Sequence, residues 1–244
     1  AGVRYEAQRT GGLVEGSHSV VAGAAPYLSN LLSGNGIYTP YNASFSGFGG
    51  TIGVNYQLQP NLGFFARFTR AYRLPSLASF ITNPVAAPIT QKIFMYEGGV
   101  KYQSRYADLF LTGFNTDYPS YGINNLVFDV KTGSYNQQTI TATTHTYGLE
   151  FEGTLRPSQY FDVVFSGTAQ NGRFGRMRYL VLSNGSPNLL DYTGNHLLRT
   201  PPVMFRVTPR LHLLDGRLLL QADIEHYGLR YADVANTQRL PAYT

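Results

Sequence analysis

The sequence predicts an all-β protein, and more specifically an antiparallel transmembrane β-barrel segment of about nine to ten strands with short turns at one end and long loops at the other. Three observations support this. The composition favours strands and turns, segments of roughly ten or more residues alternate between apolar and polar side chains, and short connections alternate with long ones. Ordinary strands are shorter, at about five to six residues.

The composition also excludes several classes of protein. The chain has 244 residues, of which only 14% are charged, with 19 Tyr, 15 Phe and 26 Gly. No stretch reaches the roughly eighteen consecutive apolar residues of a transmembrane helix. The absence of cysteine rules out disulfides and thiolate metal sites. The net charge of +5 is spread along the chain rather than gathered in a basic patch, which argues against nucleic-acid binding.

The clearest alternation lies in residues 61–76, NLGFFARFTRAYRLPS. Its even positions are mostly apolar, and its odd positions mix small residues with arginines. Similar segments precede and follow it, and we interpret each as a strand. In chain order they are 3–8, 45–58, 61–73, 96–103, 106–118, 146–156, 161–170, 203–213 and 217–225, with the opening of another strand at 239–244.

The connections between these segments differ in length in a regular way. Short turns are predicted at 59–61, 104–105, 157–159 and 215–216, the last containing an Asp-Gly pair. Long polar loops are predicted at 9–44, 74–92, 119–143 and 171–200. Strict alternation of the two kinds is typical of an outer-membrane barrel, whose periplasmic turns are short and whose extracellular loops are long.

Three stretches have a characteristic sequence, namely FARFTRAYRLPSL at 65–77, the hairpin that joins YEGGVKY at 96–102 to FNTDY at 114–118, and YGLEFEGTLRP at 147–157. All three resemble strands of the TonB-dependent outer-membrane receptors. The resemblance implies one partial barrel domain over residues 1–244, from the C-terminal part of a barrel of about 22 strands. We expect the plug domain and the last strand to be absent from this sequence.

The resemblance further implies an active transporter and receptor for a scarce nutrient in the bacterial outer membrane. A ferric siderophore or similar iron chelate is the favoured substrate, and uptake of a glycan, cobalamin or haem is the alternative. The implied partners are outer-membrane lipid and lipopolysaccharide, the plug of the same full-length chain, the TonB energy-coupling complex and the small-molecule substrate. A soluble β-sandwich or adhesin module remains open as a different class.

Two sets of residues are candidate binding positions. Loop tyrosines suited to stacking on a polar ligand are Tyr38, Tyr41, Tyr121, Tyr135 and Tyr179. Charged residues on the polar face, expected to line the lumen and meet the plug, are Arg67, Arg73, Lys101, Glu150, Glu152, Arg156, Arg206 and Arg210. No catalytic or metal site and no cofactor is expected, because the five histidines lack ligand spacing.

Arg70 is the exception to the pattern of its strand. Alternation places it on the apolar face, beside Tyr72 and near the end of the strand that leads into a long loop. An arginine facing lipid costs about 2 to 4 kcal/mol at the midplane and about 0 to 1 kcal/mol near the interface. We therefore expect Arg70 at the level of the outer headgroups, where it can contact phosphate. Tyr56, Tyr72, Tyr96 and Tyr102 are candidates for aromatic girdles on the same face.

Overall fold

The computed structural model describes residues 1–17, 34–75, 89–129, 134–183 and 186–244. In chain order its strands are β1 (Gly2–Ser17), β2 (Gly34–Gln59), β3 (Leu62–Arg73), β4 (Gln91–Gln103), β5 (Ala107–Asp129), β6 (Ser134–Ser158), β7 (Phe161–Arg176), β8 (Arg178–Ser183), β9 (Ser186–Asp191), β10 (Val203–Leu213), β11 (Leu218–Gln221), β12 (Ile224–Tyr227), β13 (Arg230–Tyr231) and β14 (Arg239–Leu240).

The strands form one large antiparallel meander. Its order is β1-β2-β3-β4-β5-β6-β7-β10-β11, and β12 continues the line of β11 by pairing with the other end of β10. The sheet therefore has nine strand positions, and it does not close on itself. This confirms the predicted all-β antiparallel barrel segment. The expected opening of a tenth strand is also present, because Tyr227 and Tyr243 exchange backbone hydrogen bonds of 3.0 Å.

Several strands run far into segments that we predicted to be loops. The β1–β2 ladder continues from Gly2↔Thr51 to Ser17↔Gly34, and β5 pairs with β6 as far as Asp129↔Ser134. The prediction of loops over most of 9–44 and 119–143 was therefore wrong. Backbone pairing needs no apolar face, so a hairpin can pair along its whole length without alternation in its sequence. Within 171–200, β7 continues to Arg176 and β8 and β9 form a separate hairpin.

The short turns lie where the sequence placed them. Ser104 Oγ accepts hydrogen bonds from the backbone of Tyr106 at 3.3 Å and of Ala107 at 3.1 Å, which closes the turn between β4 and β5. Between β10 and β11, Leu214, Asp215 and Gly216 have φ values of 52°, 53° and 82°, a run of left-handed conformations that glycine and aspartate tolerate best. Parts of the four predicted long loops, namely 18–33, 76–88, 130–133 and 184–185, lie outside the described residues.

The two faces of the sheet differ in chemistry. The apolar face carries side chains such as Ile52, Val54 and Tyr96, which are half to two-thirds exposed. In the described residues, buried apolar side chains are Ala142, Phe174 and Met177, each 1% exposed and all at the long-loop end. Exposed apolar area on this scale indicates a partner for that face. The described residues contain no helix long and apolar enough to span a membrane.

Tyr72 does not lie where strict alternation placed it. Its ring covers Gly47 and Gly49, and its hydroxyl donates to Glu6 Oε2 at 3.3 Å. A Cβ added to Gly47 would come within 2.0 Å of Tyr72 Cδ2. Gly47 pairs with Glu6 and shares its polar face, so the assignment of Tyr72 to the apolar face was wrong. The GFGG stretch leaves room for the ring rather than merely making β2 flexible.

Candidate functional site

The polar face of the sheet carries a network of charges, which we call the polar wall. Its members project from β3 to β7, from β10, from the segment between β11 and β12 and from β12, and members of one strand are two or four residues apart because side chains alternate. The polar wall comprises Arg67, Glu97, Asp108, Glu150, Glu152, Arg156, Asp162, Arg206, Arg210, Asp223 and Glu225.

Arg67 and Glu97 lie directly opposite each other on β3 and β4. The guanidinium donates through Nε and Nη2 to the two carboxylate oxygens at 2.6 and 2.7 Å, which is the bidentate geometry of a strong charge-assisted pair. Because both groups project from neighbouring strands, the pair also fixes their register. Arg67 is thus bound within the wall rather than free for an external partner.

A second group of pairs lies near the short turns. Asp162, only 8% exposed, accepts from Arg210 Nε at 2.5 Å and contacts His212 Nε2 at 2.7 Å. Arg156 donates to Asp108 across β5 and β6 at 2.5 Å. A buried carboxylate is stable only when charged or polar groups surround it, and here two strands supply them.

The last pairs join β10 to the edge of the sheet. Arg206 donates to Asp223 at 2.9 Å through Nη2 and lies 3.5 Å from Glu225. Thr208 Oγ1 donates to the same Asp223 oxygen that accepts from Arg206, at 2.6 Å. Asp223 lies in the gap between β11 and β12, so its side chain holds this irregular segment against β10.

Glu150 and Glu152 differ from the other acids of the wall. Both are exposed, and among the described residues neither carboxylate makes a hydrogen bond or an ion pair. They line a concavity of about 390 Å³ on the polar face together with Thr112, Thr168 and Arg206. The wall thus presents two free negative charges at its centre.

The eight predicted wall residues therefore differ in their contacts. Arg67, Arg156, Arg206 and Arg210 are paired within the wall, and Glu150 and Glu152 are free as just described. Lys101 Nζ lies 4.9 Å from the centre of the Phe65 ring, a cation–π contact, and Arg73 is exposed at the end of β3. Their predicted role toward a plug stays a prediction.

A small apolar core lies at the long-loop end, above the polar wall. This mouth cluster consists of Ala142, Phe174 and Met177, with Tyr121, Tyr179, Tyr192, Leu197 and Val234 packed against it. Tyr121 meets Tyr118 edge to face with ring centroids 5.2 Å apart, and Tyr179 lies 5.9 Å from Tyr192. The Tyr118 hydroxyl donates to Gln91, which holds the ring against β4.

The predicted loop tyrosines do not form one site. Tyr121 and Tyr179 both join the mouth cluster, whereas Tyr41 and Tyr38 lie on β2. Tyr41 packs over Gly12 on the polar face, and Tyr38 alternates to the other face, where it is 56% exposed. The side chain of Tyr135 lies outside the described residues. Their predicted contact with substrate stays a prediction.

A turn near the C-terminal end of the sequence is hydrogen-bonded to the segment beside the mouth cluster. Asn236 makes two hydrogen bonds with the backbone of His196, at 2.7 and 3.1 Å, and Asn195 donates to the Val234 carbonyl at 2.9 Å. The His196 ring stacks on Tyr231 with centroids 5.5 Å apart. Side-chain amides of this kind hydrogen-bond two segments together where an irregular backbone does not form a strand ladder.

The pKa shifts of His196 and Asp233 support the same arrangement of the turn. Burial lowers the pKa of His196, and the positive charge of Arg173 lowers it further, so the ring is neutral near pH 7. Burial alone would raise the pKa of Asp233. Hydrogen bonds from the Gln238 backbone and from Thr237 outweigh that effect and lower the pKa below its usual value. The turn is therefore held by an ionised Asp233.

The sequence did not predict most residues of the mouth cluster or of the turn bound beside it. Phe174, Met177 and Tyr192 fall in a stretch without periodicity. Asn236 and Asp233 make hydrogen bonds to backbone groups, and such contacts leave no repeating pattern in the sequence. The one available signal was the run DVANT at 233–237, in which an aspartate precedes a threonine by four residues, as in a side-chain-closed turn. Among the described residues, no group of three or more acidic or histidine side chains could hold a metal ion.

An antiparallel sheet of long strands, apolar on one face and charged on the other, has the features of the wall of a membrane β-barrel. The family model described as TonB dependent receptor-like, beta-barrel matches residues 1–244. The chain therefore belongs to the TonB-dependent receptor β-barrel family. No curated protein sequence matches it.

Solved structures share the fold at low identity. The ferric yersiniabactin uptake receptor FyuA from Yersinia pestis matches with a TM-score of 0.66 at 18% identity, over 99% of this chain and 33% of that one. The ferric-catecholate import receptor Fiu from E. coli K12 gives 0.64 at 17% identity, over 99% and 34%. The copper transporter OprC gives 0.70 at 10% identity, over 99% and 35%. The chain thus spans about a third of the length of these proteins.

Proposed function

We propose that the protein containing this chain is an outer-membrane transporter that takes up a scarce nutrient by TonB-dependent energy coupling, and that its cargo is a ferric siderophore or a similar iron chelate. Membership of the receptor family over residues 1–244 is the observation that carries the proposal. The named iron-chelate receptors among the structural neighbours favour this cargo. The copper transporter among them means that the fold alone does not choose it.

The mouth cluster supports recognition of a polar, partly aromatic ligand at the long-loop end. Tyr121, Tyr179 and Tyr192 pack there against the core of Ala142, Phe174 and Met177, and the Tyr118 ring contacts Tyr121. Aromatic rings with a polar tip suit stacking on catecholate or phenolate groups and hydrogen bonding to their oxygens. We infer that these tyrosines form part of the first binding surface.

The polar wall supports docking of a plug. Most of its cations are already paired on neighbouring strands, which leaves Glu150 and Glu152 as free carboxylates facing the interior. A plug that fills the lumen would offset their desolvation only with cationic donors, and each such bond contributes about 1.5 to 3 kcal/mol. We infer that these two glutamates meet basic groups of the plug of the full-length protein.

The test is uptake by the full-length protein in its own cells. Deletion of the gene should slow the uptake of radioactive iron from ferric siderophores under iron limitation, and a plasmid copy should restore it only when the TonB complex is intact. Parallel assays with haem, cobalamin and a copper salt identify a different cargo. Normal uptake of every ferric chelate after deletion would overturn the siderophore assignment, and uptake independent of TonB would overturn the transport mechanism.

A further inference from the structure

The apolar face ends in a row of charged side chains toward the long loops. Direct cross-strand partners from β3 to β7 are Arg70, Phe94, Asp117, His145 and Arg173. Asp117 and His145 contact each other at 2.5 Å. Arg173 donates to the Gly194 carbonyl at 2.8 Å. Arg70 alone in this row has no such partner among the described residues.

Arg70 is nevertheless held in a fixed position. Its guanidinium carbon lies 5.5 Å from the centre of the Phe48 ring and 5.8 Å from that of Phe94. The Nε atom is covered, yet among the described residues it has no hydrogen-bond acceptor. A covered guanidinium donor without an acceptor is costly, so the position of Arg70 favours an acceptor from outside the described residues. The two rings pre-arrange Arg70 for that ligand.

Lys92 supplies a second cation beside Arg70. It lies on β4, two residues beyond Phe94, and its register partner is Tyr72, of which only the ring leans over to the polar face. Lys92 therefore follows the alternation of Phe94 and is the diagonal neighbour of Arg70, at a backbone separation of about 7 to 8 Å. Its side chain is exposed and makes no ion pair among the described residues. Both side chains are long enough to reach one anionic group between them, and a phosphate accepts from both kinds of donor.

Small residues lie further down the same face, beyond the row formed by Phe68 and Tyr96. Ala66, Gly98 and Gly113 are register partners across β3, β4 and β5. The larger Tyr96 and Leu149 flank the row and line a shallow concavity with two of its members, Gly98 and Gly113. An acyl chain can lie flat in such a depression while its headgroup remains at the level of Arg70.

We propose that Arg70 and Lys92 bind a phosphate group of an anionic lipid in the outer leaflet, with its acyl chain against the Ala66–Gly98–Gly113 depression. The proposal rests on the proposed outer-membrane location but not on the cargo or on TonB coupling. A guanidinium stacked between rings presents its edge to the phosphate, and the ammonium neutralises the remaining charge.

The test measures lipid retention by the purified full-length protein. Native mass spectrometry in detergent compares binding of diphosphorylated lipid A with binding of the same lipid after removal of both phosphates. We expect R70Q to weaken binding of the phosphorylated lipid by about tenfold, as the loss of one charge-assisted contact predicts, and to leave binding of the dephosphorylated lipid unchanged. K92Q should give a smaller loss, and R70K should retain part of the affinity.

Arg105 provides the matched control. It also lies over an aromatic ring, at 5.7 Å from the centre of Tyr106, but at the short-turn end. R105Q should leave lipid binding unchanged. Equal losses in R70Q and R105Q, wild-type binding by R70Q, or inorganic phosphate binding as tightly as the phosphorylated lipid would each overturn the proposal. Loss of lipid binding in R70Q with transport retained would support the proposal. This outcome would also show that the lipid site and the transport function can be tested separately.

Discussion

Glycine at position 47 provides the space that lets Tyr72 cross to the polar face. We expect Gly47→Ala to destabilise the full-length protein by about 1 to 3 kcal/mol, because the new methyl group would meet the Tyr72 ring at 2.0 Å. The free energy of unfolding in denaturant measures the loss. Gly98→Ala is the control, since its Cβ would meet only the Phe65 carbonyl oxygen, at 3.6 Å.

The same substitution in a Tyr72→Ala background identifies the cause. There the added methyl group has no ring to displace, so Gly47→Ala should cost much less than it does alone. Equal destabilisation in both backgrounds would mean that the glycine is needed for backbone conformation instead.

These positions also show what alternation can and cannot predict for single residues. It placed Arg70 on the correct face, because this residue follows the pleat of its strand. It failed for Tyr72, because a large ring can lean over two glycines on the neighbouring strand. It placed Arg67 on the polar face, and it could not show that Arg67 pairs with Glu97, because the register between strands depends on turn geometry.

At the scale of elements, the segment around His196 is expected to respond to pH. The lowered pKa of His196 means that the docked ring stays neutral while a detached ring would take up a proton near its ordinary value of 6.5. Docking is therefore fully stable above that pH and weakens as the pH falls below it, by at most about 1.4 kcal/mol per pH unit.

Amide hydrogen exchange checks this expectation. After correction for intrinsic rates, residues 194–199 should lose protection between pH 7.5 and pH 5.5, whereas residues 62–70 of β3 should not. His196→Gln removes the titrating group and should flatten the pH dependence. Protection of 194–199 that rises on acidification would contradict the sign of the effect.

The accuracy of the sequence prediction changed along the strands themselves. Between the short turns and the charged row, one face of the sheet is apolar. The sequence therefore alternates between apolar and polar residues there, and the strands were predicted correctly. Beyond that row, the sequences of β5 and β6 are rich in polar residues without alternation, so the ladder from Tyr121↔Ala142 to Asp129↔Ser134 could not be predicted from periodicity. The mouth cluster belongs to this part, which is why only Tyr121 and Tyr179 of its members were named in advance.

At the scale of the whole molecule, the free carboxylates of the polar wall give a prediction about the plug. We expect the double substitution Glu150→Gln and Glu152→Gln in the full-length protein to loosen the plug, because two charge-assisted bonds of about 1.5 to 3 kcal/mol each would weaken. Conductance in planar bilayers should rise. Glu225→Gln is the control, as that carboxylate lines the same concavity but already lies 3.5 Å from Arg206. Unchanged conductance in the double variant would exclude this docking site.

The central claim is that this sheet crosses the outer membrane with its long connections outside and its short turns inside. The chain has no cysteine, so single cysteines can be introduced at chosen points and labelled in intact cells. In the full-length protein, with any cysteines elsewhere replaced, Leu189→Cys lies in the exposed β8–β9 hairpin and Gln159→Cys in the exposed turn before β7. A membrane-impermeant maleimide should label position 189 in intact cells and position 159 only after the outer membrane is permeabilised. Labelling of both positions in intact cells, or of position 159 alone, would contradict the account.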